Sequence, residues 1–186
     1  MDVTTTVKPA DRDGWRAWLE ANHASAREIW LLFDDRPDVP GVTYLDAVEE
    51  ALCFGWIDGI QKRVSDVERA QRFTPRRPGG NWTELNKARV RRLIRLGRMT
   101  EAGRRTLPDL DAAPAVAADV EARLRATGDA WAHWQAFPEL YRRVRLGNLE
   151  AVRRDPAAFE RGLDNLVAKT AANRMLGGWD DGGRLP

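Results

Sequence analysis

The sequence predicts an α+β fold, a small mixed or antiparallel sheet with packed helices followed by an all-helical C-terminal part. Three observations predict it. Helix-period segments alternate with short apolar runs as far as Arg105, a polar turn joins two of those runs as a hairpin, and beyond Gly128 only helical patterning remains. A chain of 186 residues can bury a hydrophobic core without disulfide or metal staples. The expected division is an α+β core over residues 1–110, with a helical extension over 111–186 packed on it as one compact unit.

Asp11 to Asn22 reads as the first helix, with Trp15, Trp18 and Leu19 on one face. Glu28 to Phe33 is a short apolar run and therefore a strand. Asp34 to Gly41, with two prolines and a glycine, is a loop. Thr43 is an N-cap candidate for a helix that reaches Phe54 and ends at Gly55, turning Leu45, Val48, Ala51 and Leu52 inward. Trp56 to Val64 and Arg69 to Thr74 are strands joined by Ser65-Asp66-Val67-Glu68. Pro75 to Gly80 has to leave the sheet, because proline cannot donate to the ladder.

A helix over Thr83 to Leu96 stops at Gly97, and Thr100 caps a shorter one ending near Leu107. Ala112 to Ala118 is an alanine-rich linker leading into a helix around Val116 to Ala126. Asp155-Pro156, an N-cap followed by proline at the first helical position, opens the last helix. Its buried stripe is Phe159, Leu163, Leu166 and Val167. The glycine-rich tail after Leu176 is expected to fray unless Trp179 pins it.

Composition narrows the class. The single cysteine, Cys53, cannot form an internal bridge, which points to a reducing, cytoplasmic compartment. Met1 to Pro9 lacks the apolar run of a signal peptide, and no stretch approaches the roughly 18–20 apolar residues that span a bilayer, so membrane insertion is not expected. The net charge of +2 conceals an asymmetry, because Gln61 to Arg105 holds fourteen Lys or Arg against four Asp or Glu. That segment carries +10 and the remainder −8. Such polarity can steer an anionic partner, or it can be the solvated face of a helix. Most of the eight tryptophans are expected in the core.

Three motifs resemble the YdeI/OmpD-associated family, also called the bacteriocin-protection family. They are Ala51-Leu-Cys-Phe-Gly-Trp-Ile-Asp-Gly59, then Arg72-Phe-Thr-Pro-Arg-Arg-Pro78 followed by Asn81-Trp-Thr-Glu-Leu-Asn86, then Gly97-Arg-Met-Thr-Glu-Ala-Gly103. The resemblance covers Trp15 to Arg105, weakens through Leu107 to Gly128, and returns loosely from Phe137 to Arg174. Gly80-Asn81 replaces a serine usual in that family, and Lys169-Thr-Ala-Ala-Asn-Arg174 is less basic than its counterpart. The resemblance implies a link to bacterial stress and peptide-antibiotic protection and implies no catalytic mechanism.

The residues that can carry chemistry emerge from a helical wheel. At about 100° per residue from Leu85, Val90, Leu93, Ile94 and Leu96 occupy one half, while Glu84, Lys87, Arg91, Arg92 and Arg95 occupy the other. Arg89 at about 40° and Asn86 at about 100° fall inside the apolar half. A buried arginine needs a partner. Asp58 can pair with Arg89 or with Arg76, either as a structural ion pair between hairpin and helix or as part of a ligand pocket. Trp56 and Trp82 flank this set, Trp56 as a core ring or pocket wall and Trp82 as the better ligand contact. Arg76 and Arg77, in a proline-bounded loop near a helix N-terminus, suit a carboxylate or phosphate.

Other chemistries lack their residues. Cys53, near a helix C-terminus, is expected to be a buried apolar thiol. His23 and His133 lack metal-ligand spacing, and no P-loop, dinucleotide fingerprint or Gly-x-Ser-x-Gly elbow occurs, so neither metal nor cofactor is expected. The leading expectation is a small-molecule or anion-binding stress protein whose pocket combines Asp58, Arg76, Asn86 and Arg89 under Trp82, with a small anionic or polar ligand as partner. One alternative is a cofactor-free enzyme with Asp58 as general acid or base. Another is a nucleic-acid-binding module using the basic segment 61–105, although no reader motif is present. A protein-interaction role is a third.

Overall fold

The computed structural model describes residues 2–185, so Met1 and Pro186 lie outside it. The predicted α+β class is what forms: a four-stranded mixed sheet with helices, then an all-helical C-terminal region. The chain divides into two compact units, Met1–Gly80 with Val90–Pro108, and Asn81–Arg89 with Asp109–Pro186.

In the first unit the order is β1 (Thr6–Val7), α1 (Arg12–Asn22), β2 (Ile29–Asp34), α2 (Tyr44–Cys53), β3 (Trp56–Arg63) and β4 (Glu68–Pro75). The sheet runs β1-β2-β4-β3, with β1 parallel to β2 and the other pairs antiparallel. Thr43 caps α2 as read from sequence, accepting from the Asp46 N–H at 3.2 Å, while Asp11, read as the first helical residue, is instead the cap of α1 and accepts from the Gly14 N–H at 2.8 Å. β1 is an addition to the sequence expectation. Two residues without an apolar run give no periodic signal, and only the pairing of Thr6 with Trp30 and Val7 with Leu31 makes them a strand. β4 begins at Glu68, inside the expected turn, because its ladder with β2 extends to the Asp34–Glu68 pair.

The core of this unit is aromatic. Trp15 stacks on Trp18 at 5.3 Å and tilts against Phe73 at 5.4 Å, while its indole N–H donates to the Ala47 carbonyl at 3.0 Å, tying α1 to α2. From Ala47 to Cys53 every α2 side chain is buried, including Glu49 and Glu50 at 0% exposure. Arginines surround the pair. Glu50 takes Arg12 at 2.6 Å, Arg16 at 2.6 Å and Arg98 at 2.7 Å, while Glu49 takes Arg12 and Arg92, each at 2.9 Å. Two ionised carboxylates can stay inside a core only because cations of this geometry follow them in.

α3 (Glu84–Arg95) and α4 (Glu101–Arg104) complete the α+β part of the chain. α4 is shorter than expected. It is capped by Thr100, and the chain leaves it in tight turns from Thr106 to the Gly103 carbonyl and from Leu107 to that of Arg104. Two glycines of the sequence motifs have clear physical reasons. Gly55 ends α2 with φ +75°, in the left-handed region. Gly103 lies so close to the end of α2 that any Cβ there would collide with the Cys53 carbonyl.

In the second unit, α5 (Ala118–Arg125), α6 (Ala130–Ala136), α7 (Glu139–Ala151) and α8 (Pro156–Ala171) pack around Val120, Leu124, Trp134, Tyr141, Leu163 and Leu166. Asp155 caps α8 by accepting from the Ala158 N–H at 3.0 Å, with Pro156 in the first turn. α5 starts at Ala118, two residues later than the sequence reading, without a side-chain cap to fix its start. The tail is held rather than frayed. Trp179 meets Tyr141 edge-on at 5.8 Å, Leu185 is buried, and Asp181 binds Arg89.

Three stability outcomes follow from these contacts. Gly103→Ala should cost about 1–3 kcal/mol in urea unfolding, because the colliding atom is backbone and cannot rotate away. Glu50→Gln should cost about 3–5 kcal/mol, since it strands half-buried arginines. Asp164→Asn, which breaks an exposed pair with Arg123, should cost less than about 1 kcal/mol.

Candidate functional site

The nominated residues fall into both units, and each set has its own geometry. In the first unit Trp56 belongs to the core. It is 1% exposed, its indole N–H donates to the His23 carbonyl at 3.2 Å, and its ring meets Trp18 edge-on at 5.9 Å. Asp58, half-buried on β3, accepts the Tyr44 hydroxyl at 2.7 Å. Its charge also reaches Arg76, whose backbone N–H is fastened to the Gly55 carbonyl at 2.9 Å. Burial lowers the Arg76 pKa to about 10, with Asp58 opposing that shift. Asp58 thus acts on Arg76 through its charge, and Tyr44 is the Asp58 partner that the sequence reading missed.

Arg77 opens onto a different feature, a cleft of about 500 Å³ at one end of the sheet. The topology places it there. Antiparallel pairing sets Ile29, at the start of β2, opposite Phe73, near the end of β4. The connection before β2 and the proline-forced exit from β4 therefore leave the sheet at the same end. After α1 the chain turns tightly, with the Ser25 and Ala26 N–H groups donating to the Asn22 carbonyl at 3.1 and 2.9 Å. Ser25, Arg27, Arg72, Thr74 and Arg77 line the cleft. Arg72 is held by Glu28 through Nε at 2.9 Å and Nη2 at 2.5 Å. The hydroxyl of Thr4 and then Arg72 keep the Glu28 carboxyl below its ordinary pKa. The side chains of Arg27 and Arg77 are exposed and make no hydrogen bond or ion pair among the described residues. Three guanidinium groups thus face one cleft, and one of them is neutralised.

A smaller cleft of about 230 Å³ is lined by Lys8, Asp34, Tyr44 and Arg69 among others. Its charges cancel internally, with Lys8 on Asp34 at 3.0 Å and Arg69 on Asp35 at 2.5 Å.

In the second unit Arg89 and Asn86 are both buried, as their place on the apolar half of the wheel requires. Arg89 reaches Asn86 Oδ1 through Nη1 at 2.7 Å and forks onto Asp181 with Nε and Nη2, both at 2.7 Å. Asp181 comes from the tail, where nothing in the local sequence marked it as a partner. Trp82 lines a cleft of about 290 Å³ with Asn81, Glu84, Asn148 and Glu150, while Asn86 and Arg89 lie outside that lining. Glu84 is buried although the wheel puts it on the charged half, because Lys87 and Arg143 each bind it at 2.8 Å.

Half of the fourteen cations from Gln61 to Arg105 are met by carboxylates. Arg69, Arg72, Lys87, Arg89, Arg92, Arg98 and Arg105 all have carboxylate partners. His23 and His133 are engaged through Nδ1 with the Leu19 and Thr170 carbonyls at 2.9 and 3.0 Å. Among the described residues no three His, Cys, Asp or Glu side chains converge as a metal site would need. Nor is any described helix long and apolar enough to cross a membrane.

Residues 7–106 match a family described as a domain of unknown function (DUF8412), and the chain belongs to that family. No curated protein and no solved structure matches it.

Cys53 lies inside the matched segment and is fully buried. Burial pushes its thiol up to about 12, Glu50 adds to that shift, and Arg16 opposes it. Ellman's reagent should therefore label the native protein at about pH 8 far more slowly than the guanidinium-unfolded chain, which should titrate one thiol. The folded state keeps this proton while the unfolded thiol loses it at 9.0, so stability should fall as pH rises from 9.0 towards 12.

Proposed function

We propose that this member of the DUF8412 family binds a small anion, a carboxylate or phosphate, in the arginine-lined cleft at the end of its sheet. The observation that carries the reading is the convergence of Arg27, Arg72 and Arg77 on one cleft of about 500 Å³, with only Arg72 on a carboxylate. Guanidinium groups favour planar, multiply bonded oxyanions, and the hydroxyls of Ser25 and Thr74 on the same wall can donate further hydrogen bonds. The volume lies within the roughly 300–1,000 Å³ usual for small-molecule sites.

Arg77 belongs to the motif Arg72 to Pro78 that resembles the YdeI/OmpD-associated family. On that resemblance the anion would be met in a setting of stress or antimicrobial protection. An enzymatic version of this reading would use Asp58, whose Oδ2 already accepts the Tyr44 hydroxyl and whose charge reaches Arg76. A nucleic-acid role gains less support, because half of the cations in the basic segment are paired with the protein's own carboxylates, which leaves fewer contacts for a phosphate backbone.

Isothermal titration with inorganic phosphate and with succinate tests the anion reading on the full chain. At least one should bind saturably, and Arg77→Ala and Arg27→Ala should each weaken it about tenfold or more, the worth of a charge-assisted hydrogen bond. Both positions are exposed, so the melting temperature of each variant should stay within about 2 °C of the parent. Binding that ignores both substitutions, or no binding of either anion, would overturn the assignment.

A further inference from the structure

The helical unit contains a second cavity of a different character. α7 presents Arg145, Asn148 and Leu149 at helical spacing with Val152 just past its end, α8 presents Gly162, Asn165 and Leu166, and Leu176 closes one side. Together they enclose about 190 Å³. Gly162 sets how closely the helices approach, since a Cβ there would stand 3.1 Å from Leu149 Cδ2. The floor is leucine and the rim is one arginine and two asparagines.

Arg145 is the unusual member. Six other buried or half-buried arginines, Arg12, Arg16, Arg89, Arg92, Arg98 and Arg143, each sit on a carboxylate, while the neighbouring Arg142 shares with Arg145 the lack of one but does not line the cavity. Arg145 instead donates through Nη2 to the Leu176 and Gly177 carbonyls at 3.1 and 2.5 Å, and its guanidinium lies 5.2 Å from the Tyr141 ring centroid. Its Nε is buried without a hydrogen-bond partner, and no ion pair is formed with any described residue. Burial also lowers its pKa, with Tyr141 the group that opposes the shift. A guanidinium held away from water without a counter-ion is costly unless an anion arrives.

We propose that this cavity binds a small amphipathic carboxylate, its apolar body against Leu149, Leu166 and Leu176 and its carboxylate on Arg145. The walls select against a phosphate, whose charge an apolar floor would desolvate without return. The volume selects against a long chain, being below the roughly 300 Å³ at which ordinary ligand sites begin. Asn148 and Asn165 can donate to the second carboxylate oxygen or accept from water at the mouth. This site is separate from the arginine-lined cleft of the first unit and does not depend on it.

Hexanoate, hexylamine and inorganic phosphate are the probes, read by titration calorimetry and thermal shift on the full chain. Hexanoate should bind saturably and raise the melting temperature, while hexylamine should do neither. Arg145→Met should weaken hexanoate about tenfold or more, the loss of a charged hydrogen-bond donor. Because Arg145 also holds the tail, Asn165→Phe serves as a second variant. It places a ring over the mouth from an exposed position and should abolish binding while the unliganded melting temperature is unchanged. The double variant Arg27→Ala/Arg77→Ala should retain hexanoate binding, which separates this site from the other cleft. Equal binding of hexylamine, no binding of hexanoate, or affinity that survives both Arg145→Met and Asn165→Phe would overturn the proposal. So would loss of hexanoate binding in the double variant alone.

Discussion

Glu49 and Glu50 sit at 0% exposure on α2, and much of the first unit is arranged to make that tolerable. Removing a carboxylate from water costs several kcal/mol even after relaxation, and only close cations with good geometry offset it. Those cations come from three stretches of chain: Arg12 and Arg16 on α1, Arg92 on α3, and Arg98 beyond it. Arg16 also donates to the Arg98 carbonyl at 3.2 Å, so two of the contributing segments are bonded to each other. An apolar helix in place of α2 could have rotated or slid with modest penalty. One carrying two buried anions has a single orientation in which both are paired, so the network specifies an arrangement as much as it stabilises one.

That network changes the meaning of the charge asymmetry. The +10 between Gln61 and Arg105 looks like a basic face when written as a line of sequence. In the fold, Arg92 and Arg98 serve the α2 glutamates, Arg72 serves Glu28, Arg69 serves Asp35, and Arg89 serves Asp181. Five carboxylates from outside the segment meet these groups, and a charge met within the chain has little field left for a partner. What distinguishes Arg27 and Arg77 is therefore that they share one cleft in which the chain supplies neither of them a carboxylate.

Signals confined to a few neighbouring residues were legible in the sequence. The N-caps Thr43, Thr100 and Asp155 and the terminator Gly55 act within about one turn, and each stands where its chemistry places it. The wheel on α3 also succeeded in marking Asn86 and Arg89 as buried. It failed on Glu84, which looks solvated by its angle and is buried, and on Leu96, which looks apolar by its angle and is exposed. Periodicity registers which face a residue occupies but not which ion pairs let a charge go inside. The same limit hid Asp181 from Arg89 across 92 residues and hid Glu49 and Glu50, whose partners lie up to 48 residues away. Thr6–Val7 escaped for a related reason, since a two-residue strand is defined by its neighbour rather than by itself.

For the candidate sites, this leaves a criterion that sequence could not apply and structure can. Asp58 and Arg89 drew attention as members of a buried polar set, yet Arg89 is fully served by Asn86 and a forked Asp181. A guanidinium so engaged offers an incoming anion few free N–H donors. Arg77 stands in a proline-bounded loop, and its interest rests on the cleft that it shares with Arg27 and with Arg72, which Glu28 neutralises. Arg145 attracted no notice, because an arginine within an amphipathic helix is ordinary by pattern. Its surroundings give it interest, with two carbonyls and a ring beside an open cavity where six other buried or half-buried arginines have a carboxylate. Partial desolvation of a cation without a counter-ion is a cost that a fold rarely keeps without use. In a protein that neutralises so many of its own cations, the few left unneutralised beside open volume are where a ligand's charge would be worth most.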